Sequence, residues 1–183
     1  VDWDKQFELA KNGSLDEMDS GIKLRCWNSI NKITAHYSRP SFRNDIQVIV
    51  HYGVSGSGKS HTVFSKLEAD GVPYYIKDSM TKWFDGYQGE EIGVIDEFRG
   101  VVTIERVLTW FDKYPCTVEI KGSTVPLKIK TWYVMSNLSP DEWYPDLDEA
   151  TKGALKRRLT SVTKWNFKYT PKSFEEELDD LFK

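Results

Sequence analysis

The stretch HYGVSGSGKSHTV, residues 51–63, places Gly53, Gly56 and Gly58 close together and then sets Lys59 and Ser60 behind them. An apolar run over residues 46–52 leads in and reads as a strand, and residues 60–69 suit a helix. The stretch Gly53-Val54-Ser55-Gly56-Ser57-Gly58-Lys59-Ser60 fits G-x-x-x-x-G-K-[ST] in that strand–turn–helix context. The chemistry of a phosphate site requires this order. Glycines let backbone N–H groups close around phosphate oxygens with no Cβ in the way. The helix that follows points its positive end at the same anion. Lys59 supplies a point charge to the outer phosphates, and the Ser60 hydroxyl is a ligand for Mg²⁺. His61, next in the chain, closes the set of candidate cofactor-binding residues. A chance match is well below ~10⁻³ per position at ordinary glycine frequency. A glycine-rich turn without a ligand is therefore the weaker reading.

A triphosphate site needs an acidic half at the end of a buried strand. Ile92-Gly93-Val94-Ile95-Asp96-Glu97 supplies one. Asp96 would hold Mg²⁺, directly or through water, and Glu97 would polarise the attacking water. Adjacent Asp-Glu favours hydrolysis over a kinase. Trp132-Tyr133-Val134-Met135-Ser136-Asn137 is a further strand with a polar end, which places Asn137 where a γ-phosphate and lytic water would lie. Asn at a strand end is by itself only a turn former. In KGALKRRLT, residues 152–160, Arg157 and Arg158 fall near a helix end. Either one, offered to a neighbouring subunit's nucleotide, would stabilise transition-state charge. A helix C-terminus also simply favours cations.

With 183 residues, 39% hydrophobic and 29% charged, the chain is globular in composition. No run approaches the roughly 18 apolar residues of a membrane span. Cys26 and Cys116 make no disulfide framework, and His36, His51 and His61 have no zinc-like spacing. A net charge of -3 excludes a general polyanion binder, so any nucleic-acid contact must be local.

Residues 1–40 read as helical, with Ser14 and Glu17 as a capping box and Gly21 as a possible break. Leu15, Met18, Ile22, Cys26, Ile30, Ile33 and Tyr37 make an apolar stripe that needs a partner surface. Residues 38–41 look like a hinge. Beyond it strands are expected at 72–76, 92–95 and 130–135, and helices at 104–114 and 149–160. Residues 116–120 and 124–129 flank Lys121-Gly122-Ser123 and read as a hairpin. Lys128 and Lys130 share one face of a strand, with Leu127, Ile129 and Thr131 on the other. Strands alternating with helices predict an α/β fold with a parallel sheet. Residues 170–183 form an acidic tail whose Phe174, Leu178, Leu181 and Phe182 fit one helical stripe.

Together these residues resemble the superfamily 3 helicases, a viral branch of the AAA+ P-loop ATPases. Closer still is the likeness to the replication-associated (Rep) proteins of circular single-stranded DNA viruses, the circovirus-like ones in particular. The stretches that carry it are KWFDGYQGEEIGVIDEFRG (82–100), DKYPCTVEIKGSTVPLKIKTWYVMSN (112–137), PDEWYPD (140–146) and ALKRRLTSV (154–162). The resemblance implies an AAA+ domain over 46–169 behind a helical oligomerisation segment over 1–40, acting in the host nucleus with ATP and Mg²⁺. It makes Lys59 and Ser60 phosphate and Mg²⁺ ligands, Asp96 and Glu97 the Walker B pair, and Asn137 the sensor. Lys121 becomes a pore lysine gripping single-stranded DNA in a homo-oligomeric, hexameric ring, with Lys128 and Lys130 as further DNA-binding candidates. Arg157 and Arg158 contain the arginine finger. The family's endonuclease domain, a partner of this unit in the full-length Rep chain, is not in these residues. Three rivals stand beside the DNA helicase. They are an RNA-virus ATPase of the same fold, a small-molecule P-loop kinase, and an assembly scaffold that uses nucleotide without unwinding.

Overall fold

The computed structural model describes residues 1–168, so the expectations for the acidic tail lie outside the described residues. Five strands form one parallel sheet. They are β1 (Gln47–Gly53), β2 (Tyr74–Ile76), β3 (Ile92–Ile95), β6 (Thr131–Ser136) and β7 (Ser161–Trp165), in the order β2-β3-β6-β1-β7. All four pairings are parallel, as the alternation of strands and helices predicts. The other two strands, β4 (Thr117–Ile120) and β5 (Ser123–Pro126), make a separate antiparallel hairpin.

A parallel sheet must be covered on both faces, and side-chain alternation assigns each residue to one of them. Val63 and Leu67 of α3 (Lys59–Asp70) pack with Val94, Tyr133 and Met135 on one face. On the other, Val48, Val50, Ile95, Trp132 and Val134 meet Val107 and Trp110 of α4 (Ile104–Trp110) and Leu155 of α6 (Glu149–Arg158). Trp132 is fully buried, and its indole N–H donates to the Trp110 carbonyl at 3.1 Å. Gly93 on the adjacent strand makes the room: a Cβ there would lie 2.6 Å from the Trp132 ring.

Sequence patterning does not predict strand β7. Its residues are exposed except Trp165, which is half-buried, so SVTKW lacks the apolar alternation of a core strand. Main-chain pairing to β1 holds it, from Ile49 opposite Ser161 to Gly53 opposite Trp165. The short helix α5 (Pro140–Trp143) is also beyond the expected elements, although Ser139 and Glu142 form a complete capping box. The second hairpin arm ends at Pro126 rather than 129. Leu127 and Ile129 are nevertheless buried while Lys128 is exposed, so the face assignment survives in irregular backbone.

The amino-terminal helices differ from expectation in three ways. Ser14 and Glu17 form no capping box and instead border a single 3₁₀ turn. Asp2 caps α1 (Trp3–Asn12), and Asp19 caps α2 (Ser20–Tyr37) by accepting the Ile22 N–H at 3.0 Å. Gly21 does not break α2, because it sits in the first turn, where few backbone bonds depend on it. The irregularity lies at Cys26. Met18, Ile22 and Ile30 of the predicted stripe are buried against Ala10 of α1, whereas Tyr37 is exposed. The stripe is therefore covered from within the chain. A different set of apolar residues remains exposed, with Leu24, Trp27, Trp3 and Phe7 among them.

Candidate nucleotide site

The loop between β1 and α3 crosses the carboxyl end of the sheet, with α3 beginning at Lys59. Gly56 (φ 73°) and Gly58 (φ 88°) take the left-handed backbone that folds the loop over the helix end. Gly53 has a different reason to be glycine. At φ 140°, a Cβ there would lie 2.1 Å from the Trp165 carbonyl oxygen. What approaches the first glycine most closely is thus the end of β7, whose Trp165 carbonyl also accepts the Val54 N–H at 3.3 Å.

Lys59 is buried, and its ammonium donates to the carbonyls of Gly53 (3.1 Å) and Val54 (2.8 Å) and to Ser57 Oγ (3.1 Å). It also donates to Asn137 Oδ1 at 3.3 Å, joining the ends of β1 and β6. Burial pushes the Lys59 pKa down, while the Glu97 and Asp96 carboxylates push it back up. Ser60 Oγ donates to Asp96 Oδ1 at 2.9 Å, which ties the first turn of α3 to the end of β3. The same carboxylate oxygen accepts the Glu97 N–H at 2.8 Å. Glu97 is the one non-glycine residue with positive φ (52°) among the described residues. A left-handed glutamate is an uncommon conformation that surrounding structure must hold in place. Its carboxylate is exposed, 3.9 Å from the Arg99 guanidinium. The structure thus brings Lys59, Ser60, Asp96, Glu97 and Asn137 together from three strand ends. His61 lies exposed in the first turn of α3. Ser60 and Asp96 offer two oxygens side by side, the hard donor set that a Mg²⁺ ion takes.

The two arginines separate. Arg158 donates to Asp112 Oδ2 at 2.6 Å and to the Ala154 carbonyl at 2.7 Å, so it is engaged within its own chain. Arg157 is exposed and has no hydrogen bond or ion pair among the described residues. The hairpin lysines lie apart from the cluster. Lys121 is 77% exposed at the β4–β5 turn, 3.6 Å from Asp85, whose carboxylate also accepts the Lys121 N–H. Lys128 is exposed, and Lys130 pairs with Glu91 at 3.0 Å.

The support behind the loop lies beyond sequence reasoning. His51 Nδ1 accepts the Trp165 indole N–H at 3.2 Å, and burial lowers the His51 pKa, which favours the neutral ring that such acceptance requires. At the opposite, amino end of the strands, Arg43 is buried and donates to the carbonyls of Trp110 (2.8 Å) and Ile129 (3.1 Å), capping the buried carboxyl end of α4. Neither partner is near in sequence, so no local signal marks them.

A parallel sheet with a glycine-rich loop at the carboxyl end of an inner strand, and an acidic strand end beside it, defines a P-loop α/β domain. Comparison with known proteins narrows this class. The family described as RNA helicase matches residues 49–138, from β1 to just past Asn137. The Replication-associated protein of Porcine circovirus 2 is 38% identical over 145 residues, covering 79% of this chain and 45% of the relative. That of Porcine circovirus 1 is 37% identical over 134 residues, covering 73% and 42%. That of Goose circovirus is 39% identical over 113 residues, covering 62% and 36%. The chain belongs to the superfamily 3 helicases and carries a helicase domain of the Rep-protein kind. It spans less than half the length of these relatives.

Proposed function

We propose that the domain is an ATP-driven DNA helicase motor, working as a homo-oligomeric, six-subunit ring on single-stranded DNA. The observation that carries the reading is the convergence of Lys59, Ser60, Asp96, Glu97 and Asn137 at three neighbouring strand ends. In this reading the loop amides and Lys59 hold the triphosphate, and Lys59 exchanges its Asn137 bond for a phosphate oxygen. Asn137, released, orients the attacking water, and Glu97 takes a proton from it. Mg²⁺, held by Ser60 and Asp96, would neutralise charge building on the phosphates. A neighbouring subunit donates Arg157 to the same charge. Arg157 is preferred because Asp112 already holds Arg158.

The family description names RNA, whereas the relatives are viral replication-associated proteins. Together with the resemblance of the segments at 82–100 and 112–137, this favours DNA. By the same resemblance the site of action is the host nucleus, beside the endonuclease domain of a longer chain.

The test is steady-state ATPase with and without single-stranded DNA or matched RNA. DNA should stimulate turnover more than RNA does. Glu97→Gln should keep nucleotide binding and lose about 10²–10⁴-fold in turnover. Arg157→Ala should bind nucleotide and lose about 10³-fold or more, while Arg158→Ala chiefly lowers the melting temperature. Mixing Arg157→Ala with Glu97→Gln should restore activity, since some interfaces then have both good partners. Near-normal turnover of Glu97→Gln would refute the catalytic assignment, and no rescue despite subunit exchange would refute the trans arginine.

A further inference from the structure

Beside the loop lies a cavity of about 570 Å³, within the range of small-molecule sites. Its walls come from three places: Tyr52 and Val54 at the end of β1, Glu142 of α5, and Lys164, Trp165 and Asn166 at the end of β7. Gly53, Ser55 and Asn137 also line it, so it opens onto the same loop and sensor that the proposed triphosphate site uses. Resting on that ATP-site reading, we infer that this cavity receives the nucleoside half of the nucleotide, with Trp165 as the packing surface and Glu142 as the polar contact.

Three observations carry the assignment. The cavity is continuous with the phosphate loop, so a ligand anchored there by its phosphates has its other half at hand. Trp165 is held by its indole N–H to His51 (3.2 Å) and by its main chain to Val54 (3.3 Å), yet remains partly exposed. A fixed, half-exposed indole is a ready surface for a planar base, since every base offers a π-face. Glu142 accepts the Ser139 N–H at 2.7 Å, and this bond lowers its pKa below the ordinary glutamate range. It is thus an ionised, acceptor-only group at the cavity wall. It selects hydrogen-bond donors: an exocyclic amino group of the base or a ribose hydroxyl. Strand β7 thereby acquires a role beyond completing the sheet.

The test is photolabelling with 8-azido-ATP followed by peptide mapping, with affinities for a fluorescent ATP analogue and for inorganic triphosphate as competitor. The adduct should fall within residues 139–142 or 164–167. Trp165→Ala should weaken the ATP analogue about fivefold or more while inorganic triphosphate competes as in wild type. Trp165→Phe, which keeps an aromatic face, should recover most of the affinity. Glu142→Gln preserves the helix cap and should weaken the analogue about threefold. An adduct elsewhere, no adduct at saturating nucleotide, or equal loss of analogue and triphosphate in Trp165→Ala would overturn the assignment. Equal loss would mean that Trp165 acts only by supporting Gly53. Lys59→Ala separates this proposal from the one beneath it: it should abolish both labelling and triphosphate competition. Retained labelling there would refute the phosphate-loop reading instead.

Discussion

Lys59 and Lys121 each stand next to a glycine at a turn, and their surroundings could hardly differ more. Lys59 is buried, with four acceptors from the loop and the end of β6 within hydrogen-bond distance of its ammonium. Lys121 projects from a two-stranded hairpin with one 3.6 Å ion pair to a half-exposed aspartate. A buried ammonium has lost its water and must be given something equally polar in exchange, so its geometry is fixed and its removal is felt in full. An exposed ammonium keeps its water and acts through a screened field, so its removal is mild and salt-dependent. The glycines near them differ in the same sense. Gly53 is held against the Trp165 carbonyl, whereas a Cβ on Gly122 (φ 82°) would meet nothing within 4 Å.

Substitutions at the two ends can break this contrast. Lys59→Ala should reduce affinity for a fluorescent ATP analogue on the order of 100-fold, because the phosphate charge is left without a desolvated partner. A loss below fivefold would place Lys59 outside the phosphate site. Gly53→Ala should lower stability by about 2 kcal/mol or more in thermal or urea unfolding, since β7 must move away. Gly122→Ala should cost only about 1 kcal/mol, from the left-handed conformation alone. Equal costs would mean that β7 does not press on the loop.

At the hairpin the effects are smaller. Lys121→Ala should weaken single-stranded DNA binding a few-fold, with basal ATPase unchanged. It should also reduce the log–log salt slope by about 0.7 for each phosphate that Lys121 neutralises. The weakening should be similar across sequences, because a backbone contact carries no base code. Titration at several salt concentrations checks this, and an unchanged slope would remove Lys121 from the DNA path. The smallest effect is expected for Lys130→Ala, because Glu91 already neutralises that charge. If Lys130→Ala exceeds Lys121→Ala, the DNA path runs along the irregular segment after β5 rather than over the hairpin tip.

How much of the molecule is legible in its sequence varies along the chain for physical reasons. Strands β1, β3 and β6 are apolar runs because both their faces are covered, and the runs mark them. Strand β7 is polar and exposed, held by main-chain bonds that any sequence can make, so SVTKW carries no signal. In the amino-terminal segment, Ser14 with Glu17 matches a capping pattern, but Asp19 accepts the Ile22 N–H one turn later and starts the helix instead. The apolar stripe does mark a surface needing cover, and α1 supplies that cover. Its period reports the need for a partner without naming it.

From the alternation of strands and helices comes the parallel α/β class, and from residues 46–60, 92–97 and 132–137 come the members of the candidate site. Both depend on short-range rules: periodicity, glycine's backbone freedom, and the charge a phosphate needs. Tertiary structure decides that Gly53 answers to Trp165, that Asp112 takes Arg158 and leaves Arg157 to solvent, and that Asn137 reaches Lys59. Each of these joins residues at least 46 positions apart, or strands adjacent only in the folded sheet. Such pairings depend on which surfaces the core brings together. No local preference of the chain encodes them, which is why two neighbouring arginines, indistinguishable in sequence, end in different environments.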